Sequence, residues 1–240
     1  MNGEKRSRIC TICVRGGSKG LPNKNKLILG GVPLLTHTIR QAKRCGLFEV
    51  VVVSSEDDAL LEIADKEGVE LVKRPIELAN DTSPKLPAIR HAVLEIESRT
   101  SIVFDTIADL DATSPLRLPE DITAAINLLE SKELASVFSA TAARHSPYFN
   151  QVQLHSGNLW GPVVQMEAPL STRQSSPSTY DMNASIYVWS RNTFISQPRI
   201  FYAKTNLYPM PPERSVDIDS QFDFDIVRFL MEERKKNDRY

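Results

Sequence analysis

The run Val50-Val51-Val52-Val53 narrows the fold most, because four consecutive β-branched residues leave no polar face to turn toward water. Such a strand belongs in a sheet covered on both sides. Sheets of that kind are built from parallel strands joined by right-handed crossovers, and the rest of the chain supplies the crossovers. The pattern predicts a strand over 9–14, a helix over 33–44, the valine strand over 49–54 and a helix over 57–66 closed by Gly68. A strand over 69–73, a helix over 86–98, a strand over 102–110, a helix over 119–131 and a strand over 135–140 follow. The expected fold class is α/β, doubly wound and Rossmann-like, with a mainly parallel sheet. Ligands then sit at the carboxyl ends of the strands, where Arg15, Ser54, Asp111 and Thr113 fall.

The alternation breaks between residues 144 and 174. Short alternating pieces over 148–154 and 159–166, joined by His155-Ser156-Gly157-Asn158, read as a β-hairpin excursion. Tyr148, Phe149 and Trp160 on such a hairpin need cover, which points to a homodimer exchanging arms. Strands over 184–189 and 200–203 and a helix over 220–235 resume the core. The expected organisation is a nucleotide-binding core over 1–143, a dimerisation arm over 144–174 and completion of the core over 175–240.

Composition excludes several classes. A net charge of −1 offers no general basic field for nucleic acid. No apolar run approaches the ~20 residues that span a bilayer, and the start Met1-Asn2-Gly3-Glu4-Lys5-Arg6 lacks an apolar signal segment, so a cytoplasmic location without membrane partners is expected. Three cysteines argue against a disulfide framework. Cys10 and Cys13 form a C-x-x-C, but three residues along a strand point to opposite faces and no second Cys/His pair follows at zinc-site spacing.

The chemistry concentrates in two segments. The first strand runs into Arg15-Gly16-Gly17-Ser18-Lys19-Gly20-Leu21-Pro22-Asn23-Lys24-Asn25-Lys26, where glycines let backbone N–H groups converge on phosphate oxygens and four cations neutralise their charge. It is not a Walker loop, since Gly20 and Leu21 follow Lys19, and Arg15 stands where a dinucleotide fingerprint needs its first glycine. The second segment is Ser215-Val216-Asp217-Ile218-Asp219. Carboxylates two apart on extended backbone share a face, and both can approach one hard cation such as Mg2+.

These residues resemble the N-acylneuraminate cytidylyltransferases, which make CMP-activated nine-carbon sugar acids. The family's phosphate loop matches residues 14–25, with Val14 for Ala. Its Arg-Pro-x-x-Leu-Ala-x-Asp-Thr segment matches 74–82, its Thr-Ser-Pro-Leu-Arg turn 113–117, its Arg-Gln…Asn-x-x-Ile-Tyr stretch 173–187, and its Asp-Ile-Asp 217–219. The resemblance implies a nucleotide-diphospho-sugar transferase-like fold. It also implies that Arg15, Gly16, Gly17, Ser18, Lys19 and Lys24 hold the triphosphate of CTP, with Arg15 and Lys24 catalytic, and that Asn25, Arg74, Asn80 and Asp81 hold the cytidine. Asp217 and Asp219 would bind Mg2+. Asp111, Thr113, Arg173, Gln174, Asn183, Tyr187 and Phe201 fall on the sugar side, Phe201 near the dimer partner.

The chain departs from the sialic-acid enzymes at Asp111, where they often carry glutamine. With Arg144-His145-Ser146-Pro147-Tyr148-Phe149-Asn150 and the 172–187 stretch, it looks most like the bacterial subgroup acting on legionaminic acid. The expected reaction is CTP plus sugar acid giving CMP-sugar and pyrophosphate. Alternatives are N-acetylneuraminic or pseudaminic acid as substrate, a sugar-1-phosphate nucleotidyltransferase using another base, and Asp111 as a metal ligand.

Overall fold

The computed structural model describes residues 6–17, 20–80, 84–165 and 176–237. In chain order the first half comprises β1 (Arg8–Cys13), β2 (Ile28–Leu29), β3 (Val32–Pro33), α1 (Leu34–Arg44), β4 (Val50–Ser55), α2 (Asp58–Lys66), β5 (Glu70–Lys73) and α3 (Lys85–Thr100). The second half comprises β6 (Thr106–Leu110), α4 (Pro119–Ser131), β7 (Ser136–Ala142), β8 (Val152–His155), β9 (Leu159–Pro162), β10 (Tyr180–Ser190), α5 (Arg191–Ser196), β11 (Thr205–Pro209) and α6 (Gln221–Asn237).

Local chemistry explains the helix starts. Asp57 caps α2 by accepting from Ala59 and Leu60 N–H. Proline opens α4, and the Asp121 carboxylate takes the Leu118 N–H at 2.8 Å. Between the glycine-cation loop and α1 lie a one-turn 3-10 helix over Lys24–Lys26 and the small β2–β3 hairpin. Gly30 and Gly31 turn that hairpin at φ 57° and 96°, a left-handed pair that glycine adopts without penalty.

The main sheet has the order β11-β7-β10-β6-β1-β4-β5. β1 runs parallel to both β4 and β6, β4 to β5, and β7 to β11, while β10 is antiparallel to β6 and β7. Period-two alternation sends Cys10 and Ile12 into the core with α1, α2 and α4, and Ile9 and Cys13 into the core with α3 and α5. The two cysteines therefore lie on opposite faces, as their spacing requires. α6 closes a third cluster, in which Phe224 and Val227 meet Leu116 and Ile218.

Three expectations need correction. No strand forms over 200–203: Ser136 Oγ donates to the Ile200 carbonyl at 2.7 Å and Ala135 N–H to the Lys204 carbonyl at 2.9 Å. That segment crosses the entry to β7, and the chain joins the ladder only at Thr205. The strand expected over 102–110 begins at Thr106, because Ser101 ends α3 in the left-handed region at φ 58° and the chain needs the next residues to return to the sheet. Ser54, expected at the ligand-binding edge, is wholly buried within β4. The hairpin is present as β8 and β9, with Trp160 73% exposed and Tyr148 and Phe149 partly buried.

Candidate active site

At the carboxyl ends of β1, β5 and β6 a cleft of about 460 Å³ opens, lined by residues of both segments that the sequence singles out. Its floor begins where β1 ends. Val14 N–H still reaches the Ser54 carbonyl at 3.0 Å, and then the chain leaves the sheet at Arg15. Gly16 N–H donates to Glu56 Oε1 at 2.7 Å, and a Cβ at Gly16 would run into the Asp57 side chain. Gly20 lies against the Asp219 carbonyl with no room for a Cβ. The two chemical segments, distant in sequence, are thus packed backbone to backbone.

Asn25 and Arg74 line one side of this cleft, and both are buried. Asn25 Nδ2 donates to the Arg15 carbonyl at 3.3 Å, which fixes the amide and leaves Oδ1 buried without a partner among the described residues. Arg74 spends one terminal nitrogen on the Val14 carbonyl and on Glu56 Oε2, the latter at 2.8 Å, while its Nε likewise lacks a partner. Both residues line the cleft, and each keeps one side-chain polar atom sealed from solvent behind it. Leu78, Ala79 and Asn80 contribute a further wall.

The opposite side is acidic. Asp217 is largely buried, and burial first of all holds its carboxyl above the ordinary range, against a bond from the Thr113 side chain; its Oδ1 has no partner among the described residues. The Asp219 side chain is 76% exposed and pairs with Lys24 Nζ at 2.7 Å, while the same ammonium donates to the Ile218 carbonyl at 2.8 Å. Ile218 N–H to the Thr113 carbonyl, 2.9 Å, ties this segment to the exit of β6. Two carboxylates with an unanswered buried oxygen suit a hard cation. Among the described residues no group of three or more His, Cys, Asp or Glu could hold a metal, so Mg2+ here would complete its shell with phosphate oxygens and water.

Lys85 enters the cleft from the first turn of α3, and no motif in the sequence marks it. Its ammonium stands 2.7 Å from Asp109 Oδ2 and 2.8 Å from Asp111 Oδ2. Burial works against that charge, but the two carboxylates outweigh it and push Lys85 up. Burial likewise acts to raise Asp111, but Lys85 and the Thr113 N–H and hydroxyl more than offset it and hold the carboxyl below its usual range. Only the apposition of α3 and β6 could reveal the arrangement. Arg117, also absent from the expected site, is buried behind it and donates to the Ser185 carbonyl at 2.7 Å, Thr38 Oγ1 at 2.6 Å and the Asp111 carbonyl at 2.6 Å; burial lowers its guanidinium to about 10.

Of the expected site residues, Arg15, Lys24, Asn25, Arg74, Asn80, Asp111, Thr113, Asp217 and Asp219 line one cleft. Asn183 does not: its amide accepts from Ser139 Oγ at 2.7 Å and donates to Ser215 Oγ at 2.9 Å, a structural knot at the β10 irregularity. Tyr187 stacks on Trp189 with centroids 5.8 Å apart, and burial pushes its phenol up to about 12. Phe201 stands away from the cleft lining, 58% exposed and edge-on to Phe138 at 5.3 Å. Ser18, Lys19, Asp81, Arg173 and Gln174 lie outside the described residues.

A doubly wound sheet whose switch-point cleft sets a glycine-cation loop against an acidic pair defines a nucleotidyltransferase. The chain belongs to the cytidylyltransferase family, whose profile matches residues 9–236. It is 39% identical over 227 residues to the post-translational flagellin modification protein B of Campylobacter coli, covering 94% of this chain and 95% of that one. It is 39% identical over 224 residues to the CMP-N,N'-diacetyllegionaminic acid synthase of Campylobacter jejuni, covering 93% and 94%. N-acylneuraminate cytidylyltransferase A of Danio rerio is 33% identical over 216 residues, 90% of this chain but 49% of that protein, so the chain spans about half of it. Among solved structures, CMP:2-keto-3-deoxy-manno-octonic acid synthetase complexed with CTP superposes with a TM-score of 0.69 at 16% identity, covering 95% and 99% of the two chains. The 4-diphosphocytidyl-2C-methyl-D-erythritol synthase of Anaerococcus prevotii does so at 0.64 and 10% identity, covering 95% and 100%. These two likenesses establish the shared fold.

Proposed function

We propose that the chain transfers the cytidylyl group of CTP to the anomeric hydroxyl of a nonulosonic acid, with a diacylated legionaminic acid as the substrate. The observation that carries the nucleotide half is the cleft itself, in which Arg15 and Lys24 of the glycine-cation loop stand together with Asn25, Arg74 and Asn80 and with the acidic pair Asp217 and Asp219. The sugar half is supported by the relative named CMP-N,N'-diacetyllegionaminic acid synthase, which matches nearly end to end.

In this reading Arg15, Lys24 and the loop backbone hold the triphosphate, with Ser18 and Lys19 in the same loop. The sugar oxygen attacks the α-phosphorus, the bond to the β-phosphate breaks, pyrophosphate leaves and the configuration at phosphorus inverts, the hydroxyl proton being released. Mg2+ held by Asp217 and Asp219 would offset charge growing on the pyrophosphate. Asp111 and Thr113 face the sugar, the family resemblance adds Arg173, Gln174 and Tyr187, and Phe201, which stands away from this cleft, would reach only the sugar site of a second copy. Most of the acceleration then comes from positioning and charge neutralisation. A cytoplasmic location fits a chain whose cysteines are free in the structure. No helix among the described residues is long and apolar enough to cross a membrane.

The decisive experiment measures pyrophosphate release with Mg2+, first CTP against UTP and GTP, then legionaminic, pseudaminic and N-acetylneuraminic acids against one another. Turnover of CTP with legionaminic acid fastest is the expected outcome. Release with UTP but not CTP would remove the nucleotide assignment.

A further inference from the structure

Asp109 has no packing reason to be a carboxylate. It sits on β6 between β1 and β10 with no exposed surface, opposite Thr11 on one side and Tyr187 on the other. Thr11 Oγ1 donates to its Oδ1 at 2.8 Å, and Lys85 meets its Oδ2 at 2.7 Å. A buried ion pair seldom stabilises a fold more than apolar residues of similar volume would, because both charges must be stripped of water. The pair therefore calls for an explanation at the surface it reaches, and that surface is the cleft.

Lys85 keeps 32% of its side chain accessible and bridges from Asp109 to Asp111, both Lys85 and Asp111 lining the cleft. Asp111 Oδ2 takes the ammonium, and Oδ1 takes the Thr113 hydroxyl at 3.1 Å. The carboxylate is held from both ends, in one orientation. The Lys85 ammonium on Oδ2 and the Thr113 hydroxyl on Oδ1 each already answer one oxygen of this carboxylate. Asp111 belongs to β6, whereas Arg74 follows β5. Two strands, β1 and β4, lie between them, and the Arg74 guanidinium turns back to the Val14 carbonyl at the end of β1.

We infer that Lys85, seated on Asp109, is a positioning residue that fixes Asp111 as the acceptor for the second, acidic-sugar substrate. This rests on the cytidylyltransferase reading above and goes beyond it by assigning the buried charges of α3 and β6 to one substrate only. Lys85 acts through Asp111, and the nucleotide is held by other groups.

The test is steady-state kinetics of Lys85→Met, Lys85→Arg and the double variant Lys85→Met/Asp109→Leu, with CTP and legionaminic acid varied separately and thermal melts alongside. The double variant removes both charges together and so avoids the stranded buried carboxylate at Asp109 that Lys85→Met alone would leave, and the melts report whether it is folded. Its KM for the sugar acid should rise at least tenfold while its KM for CTP stays within twofold, and Lys85→Arg should recover part of the loss. A well-folded double variant with an unchanged KM for the sugar acid overturns the inference, as does a KM for CTP that rises in step. Wild-type protein that releases no pyrophosphate from CTP with any of the three sugar acids overturns the functional reading itself, and the inference with it.

Discussion

Lys24 is one cation with two claims on it. It answers Asp219 at 2.7 Å, yet it stands in the loop whose composition suits a triphosphate. A triphosphate that draws it away would release Asp219 for a metal. Lys24→Met should therefore tighten Mn2+ binding measured without nucleotide, while pyrophosphate release falls about 100-fold, the usual scale for losing one charge-stabilising group. Mn2+ affinity that drops together with turnover would show that the two cations do not compete. Asp57 supports the same loop more quietly. The bond from Lys26, at 2.7 Å, is the main cause that holds its carboxyl below the usual range, with the first N–H groups of α2 helping against burial. A depressed folded value contributes stability that is complete above the ordinary unfolded value of about 3.9 and is lost as pH falls through the folded one. Asp57→Ala should cost about 1 kcal/mol in urea melts at pH 7, and the gap to wild type should close as the melts are repeated from pH 4 downward.

At the level of elements, the site is a junction of segment ends. Gly20 is where the phosphate loop meets the acidic segment, and a Cβ there would strike the Asp219 carbonyl, a backbone atom that cannot swing aside. Gly20→Ala should reduce kcat/KM for CTP by more than tenfold with the melting temperature nearly unchanged, since the loop adds little to the core; normal kinetics in that variant would mean that the loop and the acidic pair work apart. The helices α1, α2 and α4 were legible because their apolar faces, caps and prolines agree with one another. β11 was not, since Ile200, Phe201 and Tyr202 carry strand-like residues over a stretch whose hydrogen bonds go to the start of β7 and to the Thr205 hydroxyl. The strand over 184–189 was legible, but its antiparallel direction and its extension back to Tyr180 were not. Its pairing with β7 shifts register between Met182 and Tyr187, with Ala184 at φ 48°, a bulge that no local propensity encodes.

For the whole molecule, the hairpin is the unfinished surface. Val152, Leu154, Leu159 and Trp160 are each more than half exposed on a two-stranded sheet, and an isolated hairpin of this kind is marginal in water. A second copy that covers these side chains is the expected state. Light scattering should report a dimer, and Trp160→Glu should shift it toward monomer; a wild-type monomer at working concentrations would leave the hairpin's exposure without this explanation. Chain order alone determined the doubly wound class, the phosphate loop and the acidic pair, because each is written in contiguous residues: strand alternation, glycine next to cation, carboxylates two apart. Only the tertiary structure decided that Lys85 is caught between Asp109 and Asp111, that Arg117 braces the site from behind, and that Asn183 is tied into the β10 irregularity and not into the cleft. Those roles depend on which helix end lands over which strand end, and burial and charge pairing across such a distance leave no mark on the residues nearby in sequence.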